Sequence, residues 1–155
     1  MDIGHLLTDG GVVLRSGASS KRQALHVVAE AAAPALGLPE ARILEALLER
    51  EALGSTGLGA GVAVPHARLE GLKRVSAVLV RLDTPVAYGA VDDRPVDLLF
   101  ALFAPPSDGA EHLRALAAVS RALRSPEMRE HLRQARTADA IRALFVRDQV
   151  PATAA

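Results

Sequence analysis

The sequence contains no cysteine, and aromatic residues make up only 3% of its 155 positions. Without cysteine the chain has no disulfide framework, no thiolate nucleophile and no cysteine-ligated zinc site, which suits a reducing cytosol. Few aromatic side chains are available to stack on nucleobases. Basic and acidic residues number 18 each, and the sequence has no arginine-rich run that could bind along a phosphate backbone. We therefore do not expect nucleic acid as a partner.

Long apolar runs are also missing, since none reaches the roughly 20 residues that a membrane-spanning helix requires. Residues 1–5 lack the cationic start and apolar core of a signal peptide. We therefore expect a cytoplasmic protein that does not insert into a membrane. Its length fits one domain, which we assign to residues 1–150, followed by a flexible C-terminal tail at residues 151–155. Whether copies of the chain associate weakly into a homo-oligomer stays open.

Helix-like and strand-like patterns alternate along the chain, which predicts an α/β fold in which helices cover a largely buried sheet. Apolar runs predict strands at residues 12–14, 62–64, 75–82 and 96–104. Turns are expected at Thr84–Pro85 and Asp92–Asp93. Capping residues or proline before apolar residues at helical spacing predict helices that begin near Ser20, Pro39, Asp108, Ser125 and Thr137. The third of these helices carries the apolar residues Leu113, Leu116, Val119 and Leu123.

One histidine follows a glycine-rich loop at residues 54–61 and the apolar triplet 62–64. This residue is His66, and Pro65 before it restricts the backbone of Val64, so its position should be rigid. A neutral imidazole is nucleophilic near neutral pH and can carry a phosphoryl group as a phosphoramidate. From composition alone, each of the five histidines is more simply explained as a surface or hydrogen-bonded structural residue.

Groups that could hold a phosphoryl group lie close to His66 in sequence. Transfer needs positive charge and hydrogen-bond donors around the equatorial oxygens, and Arg50 and Arg68 could pair with phosphate. An ordinary solvated surface arginine is an equally good interpretation of Arg68 and a weaker one of Arg50. The loop adds backbone N–H groups and two hydroxyls, which makes candidates of Ser55, Thr56 and Gly57.

A second histidine, His112, falls in the first turn of a predicted helix. The positive end of the helix dipole should keep its imidazole neutral while one ring N–H can still donate to an incoming oxygen. Taken by itself, a helix residue without a partner is the simpler interpretation. His5, His26 and His131 have no chemistry around them and are expected to be structural or surface residues.

The glycine-rich loop matches neither common nucleotide-binding template. Val62 stands where the third glycine of a dinucleotide-binding motif belongs, and no Gly-Lys-Ser/Thr sequence ends the loop. His66 and His112 lack the spacing of a zinc site, and no cysteine completes one. We therefore expect neither nucleotide nor metal, and no other cofactor.

The segment from Glu51 to Ala67 resembles the active-site signature of the IIA domains of the fructose and mannitol phosphotransferase system. Six residues separate Glu51 from Leu58–Gly59, and two more precede the run 62–67, which reads Val-Ala-Val-Pro-His-Ala. Segments 84–86, 95–100 and 112–113 are also similar to the family. Within the family, the chain is most similar to the stand-alone nitrogen-regulatory members. Two features favour this assignment: the Arg-Glu pair at 50–51 before segment 54–57, and the lack of an attached transport domain.

That resemblance implies a single domain with a mixed sheet flanked by helices on both faces. It also implies a phosphorylated histidine at His66, a second active-site histidine at His112 and an active-site arginine at Arg50. The donor would be a small histidine phosphocarrier protein, charged from phosphoenolpyruvate by a separate enzyme, and neither metal nor nucleotide takes part in that step. Ala60 departs from the polar residue that is common at its position.

Three functions remain open at this stage. In the first, a phosphate on His66 regulates which proteins the chain binds, because a near-dianion changes surface complementarity. In the second, the chain is a transport subunit that relays phosphate to a sugar-specific IIB domain. In the third it is a binding module that has lost transfer, against which the presence of His66, His112 and Arg50 argues. The regulatory target proteins are not identified by the sequence.

Overall fold

The computed structural model describes residues 2–107 and 109–148, and within these residues six strands form one mixed sheet. A 3-10 helix at Ile3–Leu6 precedes the first strand. The strands are β1 (Leu7–Val13), β2 (Gly57–Gly59), β3 (Val62–Ala63), β4 (His66–Arg68), β5 (Ser76–Val86) and β6 (Val96–Ala104). The helices are α1 (Lys21–Leu36), α2 (Glu40–Ala52), α3 (Gly109–Leu123), α4 (Pro126–Gln134) and α5 (Ala138–Asp148).

The strand order is β1-β5-β6-β3-β2, and β4 also pairs with β6, farther along that strand than β3. β1 pairs parallel with β5, β5 antiparallel with β6, and β6 parallel with both β3 and β4. The short strand β2 pairs antiparallel with β3 at the opposite edge from β1. The chain thus has the mixed sheet that was expected from the sequence.

Helices cover both faces of this sheet. Since successive side chains of β5 and β6 point to opposite sides, these strands contribute to the core on each face. Leu79 and Phe100 are buried in the cluster that includes α3, α4 and α5, whereas Val80 and Phe103 are buried in the cluster that includes α1 and α2. Strands buried on both faces read as nearly continuous apolar runs. The prediction of an α/β domain with a mostly buried sheet between helices is confirmed.

Most predicted helix starts are confirmed, with one small correction. The side chains of Ser20, Ser125 and Thr137 accept hydrogen bonds from backbone N–H groups three residues later, as N-cap residues do. Pro39 is the N-cap of α2 instead of its first helical residue. The proposed cap Asp108 and the proposed tail 151–155 lie outside the described residues, so the division into residues 1–150 and a tail stays a prediction.

Three predictions were wrong about where strands begin or end: those of one turn, one strand start and one loop. The predicted turn Thr84–Pro85 lies inside β5, which continues past an irregularity until Val86 pairs with Val96; proline is tolerated where ladder pairing is irregular. β1 begins at Leu7, before the predicted start at residue 12. The start was missed because the glycines at 10 and 11, with Gly10 at φ 73°, interrupt the apolar pattern of the sequence without ending the strand. The predicted glycine-rich loop contains β2.

The described helices were also compared with what a membrane span needs. None of those within residues 2–107 and 109–148 has both the length and the apolar character to cross a bilayer.

Candidate functional site

His66 is the first residue of β4, and the pairing of this strand with β6 fixes its backbone. His66 lies opposite Leu102 in the parallel ladder, and the Leu102 N–H donates to the Pro65 carbonyl at 2.9 Å. The imidazole Nδ1 lies 2.8 Å from the Val64 carbonyl oxygen, while Arg50 Nε lies 3.2 Å from Nε2. A carbonyl only accepts and a guanidinium only donates, so Nδ1 carries the proton and Nε2 keeps its lone pair.

Burial lowers the pKa of His66 below its ordinary value of 6.5, because it disfavours the charged imidazolium. The Val64 carbonyl opposes this effect, and the positive charge of Arg50 adds to it. A histidine with this environment is neutral at physiological pH. Its Nε2 atom is therefore available as a nucleophile.

Arg50 lies in the last turn of α2, and its guanidinium is held at two points. Nη1 donates to the Gly54 carbonyl at 2.8 Å, and Nε donates to His66. Among residues 2–107 and 109–148, no acceptor is found for Nη2. The arginine thus places one positive charge beside the nucleophilic nitrogen and keeps spare donors for an anion.

His112 lies in the first turn of α3 beside His66, as the sequence predicted for its place in the helix. The two ring centroids are 5.6 Å apart, and the ring planes make an angle of 82°. His112 is only 4% exposed, yet neither ring nitrogen has a hydrogen-bond partner within the described part of the chain. Burial lowers the pKa of His112, and repulsion from a protonated His66 and from the positive charge of Arg68 lowers it further. Buried polar atoms are normally satisfied, so this ring is suited to bind a ligand.

The two histidines and two arginines share one surface cavity of about 460 Å³. Arg50 and Arg68 lie on its wall with His66 and His112, so the structure brings together these four of the predicted site residues. The other lining residues are Ala46, Glu49, Leu53, Ala67, Leu113 and Leu116. The cavity therefore combines positive charge and unpaired imidazole nitrogens with an apolar wall.

The three loop candidates do not line this cavity. The Ser55 hydroxyl donates to the Tyr88 carbonyl and accepts from the Gly57 N–H. Thr56 is buried, and its N–H and hydroxyl both donate to Glu51. The placement of Ser55, Thr56 and Gly57 does not support direct phosphate binding, because both hydroxyls and the N–H groups of Thr56 and Gly57 already have partners inside the protein.

Two exposed leucines at the cavity were missed by the sequence analysis. Leu53 is 85% exposed and Leu113 is 66% exposed, and both line the cavity. Leu113 was expected in the apolar stripe of its helix with Leu116, Val119 and Leu123, but only the last two of these are among the buried residues of α3, which also include His112, Ala115 and Ala122. Helical spacing marked Leu113 as apolar without showing that its side of the helix is open to solvent.

The remaining histidines lie away from the cavity. His5, His26 and His131 are all exposed, in agreement with their interpretation as surface residues. His26 contacts Glu40 through Nε2 at 2.5 Å and Glu30 through Nδ1 at 3.5 Å. These contacts place one imidazole between two carboxylates on the protein surface.

Comparisons with known proteins agree with this geometry. The sequence model of one family, described as the phosphoenolpyruvate-dependent sugar phosphotransferase system, EIIA 2, matches residues 5–147. A nitrogen regulatory protein of Bradyrhizobium diazoefficiens is 41% identical over 155 residues, which cover 100% of both chains. A nitrogen regulatory protein of Escherichia coli K12 is 44% identical over 119 residues, covering 76% of this chain and 73% of the other.

A solved structure supports the same likeness. The crystal structure of nitrogen regulatory protein IIA-Ntr from Neisseria meningitidis superposes with a TM-score of 0.87 at 34% sequence identity. The superposition covers 92% of this chain and 98% of the other. The likeness thus extends over nearly the whole fold.

Proposed function

Because the chain belongs to the EIIA 2 family of the phosphoenolpyruvate-dependent sugar phosphotransferase system, a family of phosphotransfer components, we propose that it carries a phosphoryl group on Nε2 of His66. The observation that carries this proposal is the state of the His66 ring. Its Nδ1–H is fixed by the Val64 carbonyl, and the lone pair of Nε2 points toward Arg50 in an open cavity.

The transfer requires no proton to move. The Nε2 lone pair attacks the phosphorus of a donor phosphohistidine that is protonated on its other ring nitrogen, and the new N–P bond forms. The old N–P bond breaks with its electron pair returning to the donor ring, which leaves as a neutral imidazole. The His66 ring gains positive charge while Nδ1 keeps its proton. The Val64 carbonyl, 2.8 Å from Nδ1, stabilises that charge.

Arg50 acts before and after the new bond forms. Its Nε–H occupies the lone pair of Nε2 in the free protein and must withdraw when that atom bonds to phosphorus. Since the Gly54 carbonyl still anchors Nη1, the guanidinium stays beside the phosphoryl oxygens and can donate to them. Positioned positive charge supplies most of the catalysis in phosphoryl transfer.

His112 completes the site from the opposite wall. Burial keeps its imidazole neutral, and one ring N–H without an internal partner is free to donate to a phosphoryl oxygen. Arg68 lines the same cavity and adds a second positive charge at its edge. We assign His112 to orienting and stabilising the phosphoryl group on His66, and Arg68 to long-range attraction of the anion.

The donor in this proposal is a small histidine phosphocarrier protein, and the output is regulatory. The names of the full-length Bradyrhizobium relative and the Neisseria structure support the nitrogen-type assignment. A phosphoryl group adds roughly two negative charges at neutral pH, in a cavity that two exposed leucines border. Target proteins that recognise one state of this surface would lose affinity for the other. A cytoplasmic location stays a prediction.

The direct test is incubation with phosphoenolpyruvate, the first enzyme of the system and the phosphocarrier, followed by intact mass measurement. We expect an acid-labile gain of one phosphoryl group, absent from His66→Ala and retained by the control His26→Ala, whose ring lies on the surface. No gain on the wild-type protein, or an undiminished gain in His66→Ala, would refute the proposal and favour a binding module.

The transport alternative remains open because the family includes components of sugar systems. A purified sugar-specific IIB domain, added to the phosphorylated protein, distinguishes the two outputs. Slow discharge supports the regulatory role. Discharge as fast as the loading step would identify a transport subunit.

A further inference from the structure

Glu51 is a buried carboxylate next to Arg50, and it lies outside the cavity. Its side chain is 5% exposed and has four polar contacts: Lys21 Nζ at 2.8 Å, the Thr56 N–H at 3.1 Å, the Tyr88 hydroxyl at 3.3 Å, and the Thr56 hydroxyl. The Lys21 ammonium also lies 4.4 Å from the centre of the Tyr88 ring. Burying a carboxylate is unfavourable unless it is paired in this way.

The contacts of Glu51 lead to the His66 ring through Thr56. Glu51 holds Thr56 by its N–H and hydroxyl, and the Thr56 carbonyl accepts from the Val64 N–H at 3.0 Å. The Val64 carbonyl in turn accepts from His66 Nδ1 at 2.8 Å. Glu51 is thereby connected by consecutive hydrogen bonds to the group that sets the tautomer of His66.

A second connection runs from Glu51 to the phosphate-facing arginine. Arg50 precedes Glu51 in the last turn of α2 and donates to the carbonyl of Gly54, two residues before Thr56. Because Glu51 ties Thr56 back to the helix end, it closes the turn that carries the Gly54 carbonyl. The anchor of Arg50 and the anchor of His66 therefore depend on the same carboxylate.

We propose that Glu51 is a positioning residue for phosphoryl transfer. It holds Arg50 and the Val64–His66 segment in place relative to each other without touching the phosphoryl group. This inference rests on the proposed function of His66. Glu51 lies at the end of α2, and its partners come from three separate places: the first residue of α1, the segment before β2 and the segment after β5. They converge beside the site, where a shift of about 1 Å can slow a reaction by about 100-fold.

The test compares Glu51→Gln with a control variant of a distant polar network. Glutamine keeps the size of the side chain but leaves the Lys21 ammonium without its counter-charge. The control is Arg142→Met, because Arg142 donates to the Leu7 and Thr8 carbonyls at the other edge of the sheet. Both variants lose buried hydrogen bonds, but only Glu51→Gln should disturb the site.

We expect phosphorylation of Glu51→Gln by the loaded phosphocarrier to be about 10- to 100-fold slower at saturating donor, with little change in KM. Nitrogen-detected NMR should show altered signals of the His66 ring and of Arg50 Nε–H in this variant and unchanged signals in Arg142→Met. Equal rates and equal His66 signals in wild type and Glu51→Gln would overturn the inference. A matching slowdown in Arg142→Met would overturn it as well, because lost stability would then explain both.

Two further outcomes are covered by the design. If Glu51→Gln does not fold, Thr56→Val removes one of the same hydrogen bonds and should slow transfer severalfold; an unchanged rate in that variant would refute the inference. If wild-type protein accepts no phosphate, the proposed function fails. The NMR comparison still tests whether Glu51 positions the His66 ring, so the two failures are distinguishable.

Discussion

Arg50 Nε donates a hydrogen bond to His66 Nε2 over 3.2 Å, so the arginine contacts the same atom that we propose accepts the phosphoryl group. This contact holds the imidazole in the tautomer whose nucleophilic nitrogen faces the cavity. It also places a positive charge within reach of the incoming oxygens. In the proposed reaction, Arg50 contacts the ring before transfer and the phosphoryl group after it.

The first prediction concerns the loss of that contact. Arg50→Met should fold normally, since the side chain of Arg50 is only partly buried, but should accept phosphate about 100-fold more slowly because a positioned cationic donor is lost. Single-turnover transfer from the phosphocarrier measures this rate. Arg22→Met, which removes an exposed arginine of α1, is the matched control. Equal rates in Arg50→Met and wild type would show that Arg50 does not act on the phosphoryl group.

The second prediction follows from the lowered pKa values of His66 and His112. Both rings bind protons less readily in the folded state than in the unfolded state, where the pKa is about 6.5. Stability is therefore fully present above pH 6.5, falls as the pH drops toward the lowered pKa values, and levels off below them. Chemical unfolding at a series of pH values measures the slope.

His112→Phe removes one of the two groups and should make that slope shallower. His131→Phe is the matched control, because His131 is exposed and does not line the cavity. A steeper slope in His112→Phe, or one that depends equally on His131, would contradict the assignment of the pH dependence to these two buried rings.

The third prediction concerns the lifetime of the phosphorylated protein. His112→Ala should keep the fold but lose a hydrogen-bond donor to the phosphoryl group, and a hydrogen bond to a charged group contributes about 1.5–3 kcal/mol. We therefore expect faster loss of phosphate or slower loading by about tenfold, measured as decay of the phosphoprotein mass. His131→Ala is the control. Identical loading and decay in all three proteins would return His112 to a structural role.

Local patterns allowed a large part of the fold to be predicted from sequence. Residues 96–104 form β6 as expected, because a continuous apolar run is typical of a strand covered on both faces. His66 was also singled out as the candidate phosphoacceptor from local sequence, because a glycine-rich loop, an apolar triplet and a proline precede it. The exposed position of Leu113 was not predicted, because apolar spacing indicates a helix face without showing what covers it.

Long-range contacts account for what sequence reasoning missed at the site. The pairing of His66 with His112 was expected only from the resemblance, because it depends on the first turn of α3 lying beside the start of β4, which no spacing within either segment encodes. The role of Glu51 was also hidden, because its partners Lys21 and Tyr88 come from distant segments. Side-chain networks that join several elements become visible only when the elements are placed.

The last prediction concerns the apolar border of the cavity. Leu53 directly follows the last residue of α2, and Leu113 directly follows His112. Both side chains line the cavity, so a donor that brings its phosphohistidine to His66 must cover them. Complete burial of an exposed leucine side chain stabilises a complex by about 1.5–3 kcal/mol. Leu53→Ser and Leu113→Ser should each raise the KM for the phosphocarrier by about tenfold while leaving kcat nearly unchanged.

Val91→Ser gives a matched control for this border, because Val91 is 90% exposed but does not line the cavity. Steady-state transfer at a series of phosphocarrier concentrations separates KM from kcat. A fall in kcat without a change in KM would show that the leucines act on the transfer step and not on docking. An equal rise in KM for Val91→Ser would place the donor on a wider surface than the cavity border, since an apolar side chain outside the border would then contribute as much as those that form it.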